Sequence, residues 1–388
     1  MAGTPLARRY QGSDQSNGKK RFPISRSLRA IGRCTLPIAE PFTRVKESIH
    51  RRSAGRWDLK ALSSIESGHV ADVFRAKIEA QNQSPQTVII KLRRETGGIN
   101  AQFFSYEREW FFYRHLRSRI KPRTPEIYLQ GESPAADEGL LLLEDMHALV
   151  ASTEAPSSRR KMADQLVHAG SGSAFGVSIY AGEQPGGHQA SSRDWIKSGI
   201  EVTAELHSSD ISADEIPYHF SDNIAQLGPL SDQERAAMEV LRASEQGAHF
   251  IALVEAQSKG LFSDEQEPFG IIHCDLRPDN LIAAGEWVIL DWGDYCFGPA
   301  AFDLAYLFAT SRTPLSMIKS LLHQYAAERQ DVQPKETLSP EYLLARCKHY
   351  WPLVARTPLL FMAESGNPRT HDYWKSVLNH TFDLWEAL

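Results

Sequence analysis

Apolar and polar positions along the chain change rhythm roughly a third of the way in. Residues 57–66 and 70–79 read as two strands, with Val73, Phe74 and Ile78 as apolar positions and Ser67-Gly68-His69 as the turn between them. Gln81-Asn82-Gln83-Ser84-Pro85 closes this segment as a loop, and QTVIIKL at 86–92 is the β-branched run of a buried strand. Phe103, Tyr106, Trp110, Tyr113 and Leu116 then recur at three- and four-residue spacings, which predicts a helix over 101–118. A second buried strand, GLLLL at 139–143, ends at Glu144-Asp145. Beyond it the expected elements are helices over 157–168, 192–208 and 231–257, with a Gly/Ser-rich loop at 170–190. A strand at 270–273 leads into a loop, and 281–290 reads as a hairpin turning at Ala284-Gly285. From 300 onward the pattern is helical and rich in aromatic residues.

Strands gathered first and helices gathered after predict an α+β fold rather than alternating βαβ winding. The expected organisation is bilobal: a basic tail over 1–52, a small N-terminal lobe with an antiparallel β-sheet over 53–146, and a larger helical C-terminal lobe over 147–388. A cleft would lie between the lobes.

Charge changes the picture at one end. Residues 1–52 carry twelve Lys/Arg against three Asp/Glu, whereas the rest carries 31 against 45. The tail reads as disordered, with an organelle transit peptide or an anion-binding arm as alternatives. The acidic body, net −5 for the whole chain, points to neither nucleic acid nor membrane as a partner. No apolar run is long enough to span a bilayer, and no secretory leader is visible. Cys34, Cys274, Cys296 and Cys347 are scattered without a CxxC pair, so the expectation is reduced thiols in a cytoplasmic protein rather than a disulfide framework or zinc site.

The chemistry concentrates in one segment, IIHCDLRPDNLIAAGEWVILDWGDYCFGPAAFDLA. Asp275 and Asn280 stand five residues apart in a loop, and Asp291 follows at the end of a strand after a tight turn. Phosphoryl transfer calls for such a set. The migrating group and its neighbours are strongly anionic, so a divalent cation must bridge them. Magnesium takes a few hard oxygen ligands and keeps its waters, which an amide oxygen from Asn280 and a carboxylate from Asp291 suit. Asp275 can orient an acceptor hydroxyl and take its proton. In the N-terminal half, Lys91 stands among apolar strand residues, where it is costly unless paired or unless it snorkels from the strand end. Glu107 and Glu109 lie on different sides of the following helix, so only one of them faces the strand.

The segment resembles the catalytic loop and metal site of the protein-kinase-like superfamily, specifically the aminoglycoside phosphotransferase and choline kinase-like family. HxDxxxxN followed by DWG is shared with protein kinases. The P-x-x-D-L-A element in GPAAFDLA, the absence of GxGxxG before the lysine strand, and the 128 residues from Asp145 to His273 favour the small-molecule branch. Cys274 and Arg277 depart from the family, which commonly has Gly and His there. The resemblance implies an ATP-dependent, Mg2+-dependent kinase acting on a hydroxyl of a small molecule such as an aminoglycoside, an amino alcohol or a sugar. A protein kinase or a non-catalytic nucleotide-binding protein are the alternatives. It further implies that Lys91 contacts the α- and β-phosphates and that Glu109 of EWFFY pairs with it. Gly68 would belong to the phosphate-covering turn, and backbone groups near Glu144 and Met146 would meet the adenine edge. Asp275 is implied as catalytic base, Asn280 and Asp291 as metal ligands, His207 and His273 as structural, and Asp303 as a helix cap bracing the loop.

Overall fold

The run QTVIIKLR becomes the middle of a five-stranded antiparallel sheet. The computed structural model describes residues 39–65, 71–80, 85–93, 106–131, 133, 139–146, 190–257, 267–283, 286–329, 338–364 and 368–388. In it β1 (Trp57–Ile65), β2 (Ala71–Ala80), β3 (Gln86–Arg93), β4 (Ile127–Leu129) and β5 (Leu140–Glu144) pair in the order β1-β2-β3-β5-β4. Side chains alternate across a strand. Val88, Ile90 and Leu92 are therefore buried together on one face, and Lys91 points to the other beside Ile89, opposite Val73 on β2 and Leu141 on β5. β4 escapes sequence reading because three half-buried residues are too few to show a period.

Two compact units are present, Met1–Arg44 and Val45–Leu388. Of the first, only residues 39–44 are described, as the start of helix α1 (Ala39–Arg52). The end of the stretch expected to be a tail is thus helical. In the second unit, Val45, Ser48 and Ile49 are buried one turn apart, and Arg52 donates to Leu140 O and Leu129 O, both at 3.0 Å. The guanidinium thereby joins neighbouring strands β4 and β5. Phe42, Val45 and Ile49 recur at i, i+3 and i+7, a helical spacing that the basic background of the stretch leads a reader to pass over.

Residues 1–38, the turn at 67–69 with Gly68, the helix expected over 157–168, nearly all of the Gly/Ser-rich stretch, and Ala284-Gly285 lie outside the described residues. Helix α2 (Tyr106–Phe111) runs on as a π-turn through Phe112–Leu116 and a 3-10 turn through Arg119. Tyr106, Trp110, Tyr113 and Leu116 are buried, as their spacing predicts.

The C-terminal lobe comprises α3 (Ala190–His207), α4 (Phe220–Leu227), α5 (Asp232–Met238), α6 (Glu245–Gln257), α7 (Ala300–Thr310), α8 (Leu315–Glu328), α9 (Pro340–Val354), α10 (Arg356–Glu364) and α11 (Pro368–Ala387). Two small antiparallel ladders join them, β6 (Phe269–Ile272) with β9 (Cys296–Pro299) and β7 (Leu281–Ala283) with β8 (Trp287–Ile289). Every residue of α7 is buried, so it forms the axis of the lobe as an all-round apolar helix must. The single helix expected over 231–257 is broken. Ser244 adopts extended angles and its hydroxyl accepts from Gly247 N–H at 2.9 Å, starting α6 afresh. A Cβ at Gly247 would fall 1.7 Å from Leu241 O, so only glycine fits this bend. Among the described residues no helix is long and apolar enough to cross a membrane.

One surface tie joins the end of the α2 segment to the loop after α3. Glu215 accepts from Arg119 Nη2 at 3.1 Å and from Ser212 N–H at 2.9 Å. The Arg119 guanidinium first, then the Ser212 bonds, lower the Glu215 carboxyl to about 2. A depressed carboxylate contributes stability above its unfolded value, and loses it as pH falls through the folded one. Glu215→Gln is expected to lower the melting temperature at neutral pH and to flatten its decline between roughly pH 4.5 and 2. Thermal melts across that window check this.

Candidate active site

Asp275 lies in the loop after β6, and its neighbours fix that loop from both sides. His273 Nε2 donates to Leu290 O at 2.8 Å, while its Nδ1 accepts from Asp275 N–H at 3.3 Å. A carbonyl can only accept and an amide N–H only donate, so these partners set the tautomer. Behind the loop, Asp303 Oδ2 accepts His273 N–H at 2.7 Å and Oδ1 accepts Cys274 N–H at 2.9 Å. His207 Nε2 lies 3.2 Å from Asp303 Oδ2, and its Nδ1 lies 2.8 Å from the Tyr325 hydroxyl, to which Arg329 donates at 2.9 Å. Asp303 therefore braces the loop from inside α7. It does not cap that helix, whose N-cap is Pro299.

Asn280 closes the same loop. Its Nδ2 donates to Asp275 O at 2.8 Å and to Asp275 Oδ2 at 3.0 Å. Both partners are acceptors, so the amide oxygen must face away from Asp275. Leu290 N–H donates to Asn280 O at 2.8 Å, and Leu281 pairs with Ile289. The β7–β8 hairpin thus returns the chain so that Asn280 and Asp291 flank its open end. Asp291 has φ +61°, in the left-handed region that Asp tolerates better than most residues.

Lys91 reaches this end of the hairpin from the sheet. Its Nζ lies 2.6 Å from Glu109 Oε1 and 2.8 Å from Asp291 Oδ1. Burial would pull the ammonium down, but the two carboxylates outweigh it and hold Lys91 above its ordinary value. Burial, with Asp291 beside it, lifts Glu109 in spite of Lys91. Burial acts on Asp291 in the same sense, yet Lys91 holds that carboxylate below its usual range. Glu107, the other helical candidate, pairs with Arg93 at 2.6 Å. Helix α2 is locked to the loop after Asp291. Phe112 stacks on Trp292 with centroids 3.9 Å apart, and Arg108 Nη1 donates to Asp294 O at 3.3 Å and Asn223 Oδ1 at 2.8 Å.

At the end of β5, Glu144 N–H donates to Glu126 O at 2.8 Å, and its carboxylate accepts from Arg123 at 2.8 Å. Met146 packs against Ile282 and Val288 of the hairpin, giving an apolar surface where the β5 end meets the C-terminal lobe.

Three features went unread in the sequence. Tyr306 Oη donates to Asp275 Oδ1 at 2.7 Å; only its helical spacing from Asp303 hints at it. Arg277 Nε lies 3.3 Å from Asp275 Oδ2, and the guanidinium lies over the Trp374 ring at 5.7 Å. Burial lifts Asp279 to about 6, with Arg277 opposing and Asp275 adding to the shift.

Cys274 explains why glycine is common at its position: φ is +63°. Its Sγ lies 3.3 Å from Cys296 Sγ, and burial pushes the thiol well above its ordinary value. A side chain in the left-handed region costs about 1–2 kcal/mol. Cys274→Gly is expected to change stability by less than about 1 kcal/mol, strain relief offsetting the lost sulfur contact. Cys274→Val, β-branched at positive φ, is expected to cost about 2 kcal/mol or more. Denaturant unfolding of the pair distinguishes these outcomes.

No three His, Cys, Asp or Glu side chains among the described residues group to hold a metal. The site instead offers one amide oxygen and one half-exposed carboxylate, the sparse oxygen set that magnesium takes with waters.

A two-lobed molecule with an antiparallel sheet carrying a Lys–Glu pair, and a helical lobe carrying an HxDxxxxN loop and a DWG turn, has the protein-kinase-like fold. The chain belongs to the phosphotransferase enzyme family, which its residues 62–334 match. Choline kinase LicA from Streptococcus pneumoniae shares the fold, with a TM-score of 0.51 at 14% identity over 89% of this chain and 99% of that one. A microcompartment-associated aminopropanol kinase aligns with a TM-score of 0.49 at 13% identity, over 88% and 96% of the two chains. No curated protein matches the chain in sequence.

Proposed function

We propose that this phosphotransferase is a kinase that moves the γ-phosphoryl of Mg-ATP to a hydroxyl of a small molecule of the aminoglycoside, amino alcohol or sugar type. The observation that carries this reading is that Lys91 of the sheet bonds Glu109 at 2.6 Å and Asp291 at 2.8 Å, while Asn280, at the other side of the same hairpin end, bonds Asp275 at 3.0 Å. Lys91, held by Glu109 at 2.6 Å, would meet the α- and β-phosphates. Glu144 has its N–H committed to Glu126, so it would meet a purine edge through its carbonyl, with Met146 supplying the neighbouring backbone and an apolar floor. Gly68 would belong to the turn over the phosphates. Asn280 and Asp291 would hold Mg2+, which when bound neutralises charge on the phosphates. Asp275 orients the acceptor hydroxyl and takes its proton at a carboxylate oxygen. Positioning and charge stabilisation supply most of the acceleration in such a reaction.

The test is a titration of the protein with a non-hydrolysable ATP analogue, with and without Mg2+. ADP release is followed alongside against a panel of amino alcohols, aminoglycosides and sugars. Metal-dependent binding, together with release stimulated by a panel member, is the expected result. Absence of metal-dependent binding overturns the roles given to Lys91, Asn280 and Asp291.

A further inference from the structure

The carboxylate of Asp275 is held by more than its own loop, and the extra support comes from α7, behind it. Asn280 Nδ2 takes Oδ2 at 3.0 Å, and Arg277 Nε stands 3.3 Å from the same oxygen. The other oxygen, Oδ1, accepts the Tyr306 hydroxyl at 2.7 Å. A buried tyrosine hydroxyl needs a partner, and an adjacent main-chain carbonyl usually suffices. Here the partner is the group expected to take the proton.

The environment of the phenol fixes the direction of this bond. Burial first, then the Asp275 charge, push the Tyr306 phenol well above its ordinary value, so it keeps its proton and can only donate to the carboxylate, 2.7 Å away. Rigidity comes from α7, which is buried along its whole length. Tyr306 is 2% exposed and packs by Phe302, ring centroids 6.0 Å apart. A side chain so enclosed has little rotamer freedom, and the oxygen it holds inherits that.

We propose that Tyr306 is a positioning residue for the transfer. It pins Oδ1 of Asp275, while Asn280 pins Oδ2, so that the carboxylate presents one fixed orientation to an incoming hydroxyl. The inference rests on the assignment of Asp275 in the proposed function. It goes beyond that reading in giving α7 a share in the site. A neutral donor held at hydrogen-bond distance polarises its acceptor and restrains it at once. Losing the donor frees the carboxylate to rotate, and misplacement of a reacting group by a fraction of an ångström is costly.

Four proteins test this: wild type, Tyr306→Phe, Asp275→Asn and the double variant. The probe is Mg-ATP with water as acceptor, read as ADP release, together with the dissociation constant of the ATP analogue and the melting temperature. Tyr306→Phe is expected to lower turnover about 10- to 100-fold, an effect of the size of one misplaced catalytic contact, with nucleotide affinity within about twofold. Added to Asp275→Asn it is expected to have little further effect, because a residue that acts through the Asp275 carboxylate then has nothing left to position. A merely structural role would lower melting temperature and leave the two losses additive. Turnover within twofold of wild type in Tyr306→Phe, or an equal cost of Tyr306→Phe with and without Asp275→Asn, overturns the proposal. Should Tyr306→Phe fail to fold, Tyr306→Met, which also lacks the donor, is read by the same criteria. If Asp275→Asn itself turns over like wild type, the assignment of the base fails instead, a different result from failure of the positioning contact.

Discussion

Asp275→Asn is expected to remove between about a hundredfold and ten-thousandfold of turnover, the usual range for loss of a positioned general base. Nucleotide affinity should change only a few-fold. The neighbours of the carboxylate say why the two readouts part. An asparagine substituted there can still accept from Tyr306 through its amide oxygen, and the main-chain carbonyl still holds Asn280 at 2.8 Å. Its new NH2 group, however, faces the Asn280 NH2 that now donates to Oδ2 at 3.0 Å. Two donors cannot satisfy one another, so this contact is lost at a cost on the order of 1 kcal/mol. The loop stays braced by Asp303 through His273 and Cys274, and the nucleotide contacts expected of Lys91 lie on another element. Isothermal titration with the ATP analogue beside a turnover assay checks both halves. A turnover near that of wild type would remove Asp275 from the role of base.

How far the sequence foretells this site depends on how local each contact is. Asp275, Asn280 and Asp291 fall within seventeen positions of one another, and the hairpin between them has an apolar pattern that a reader can follow. Lys91 stands out because a charge among VIIKL demands an explanation. Helical geometry could not choose between Glu107 and Glu109, since both flank the apolar face. The choice follows from Arg93, two residues along β3, which draws Glu107 outward while Lys91 takes Glu109. Contacts between distant segments left no trace. Tyr306 reads as an ordinary core residue, and Arg277 as a family departure, until α7 and α11 are folded against the loop. Short or compromised elements were also illegible. β9 contains a Gly-Pro pair that argues against a strand, and the bend at Ser244–Gly247 depends on Leu241 O pressing against a missing side chain.

Asp291→Ala is expected to abolish the magnesium dependence of nucleotide binding, and its structural cost should be small enough to keep that result interpretable. The Asp291 side chain is 51% exposed, so its removal leaves no sealed cavity, and Lys91 retains Glu109 at 2.6 Å. The backbone carries the main penalty. Alanine at φ +61° is less comfortable than aspartate, by about 1 kcal/mol. Asp291→Asn is the control for that penalty, because asparagine also tolerates the left-handed region while it lacks the charge that a hard cation requires. Both variants should unfold near the wild-type temperature without ligand. With Mg-ATP the wild type should gain stability according to the ratio of ligand concentration to dissociation constant, about 2.7 kcal/mol at a hundredfold excess over that constant. The alanine variant should show the same small gain with and without the metal, and the asparagine variant only a fraction of the metal-dependent part. Wild-type affinity and metal response in the alanine variant would mean that the cation, if one binds, is held by other groups. The same measurement reports on Lys91, whose ammonium is at present shared between two carboxylates. With Asp291 gone, all of its charge is left to Glu109 and the phosphates, so metal-free nucleotide binding should hold or strengthen as the metal-dependent part disappears. Opposite movement of those two quantities is what separates loss of a metal ligand from general damage to the cleft, in which both would fall together.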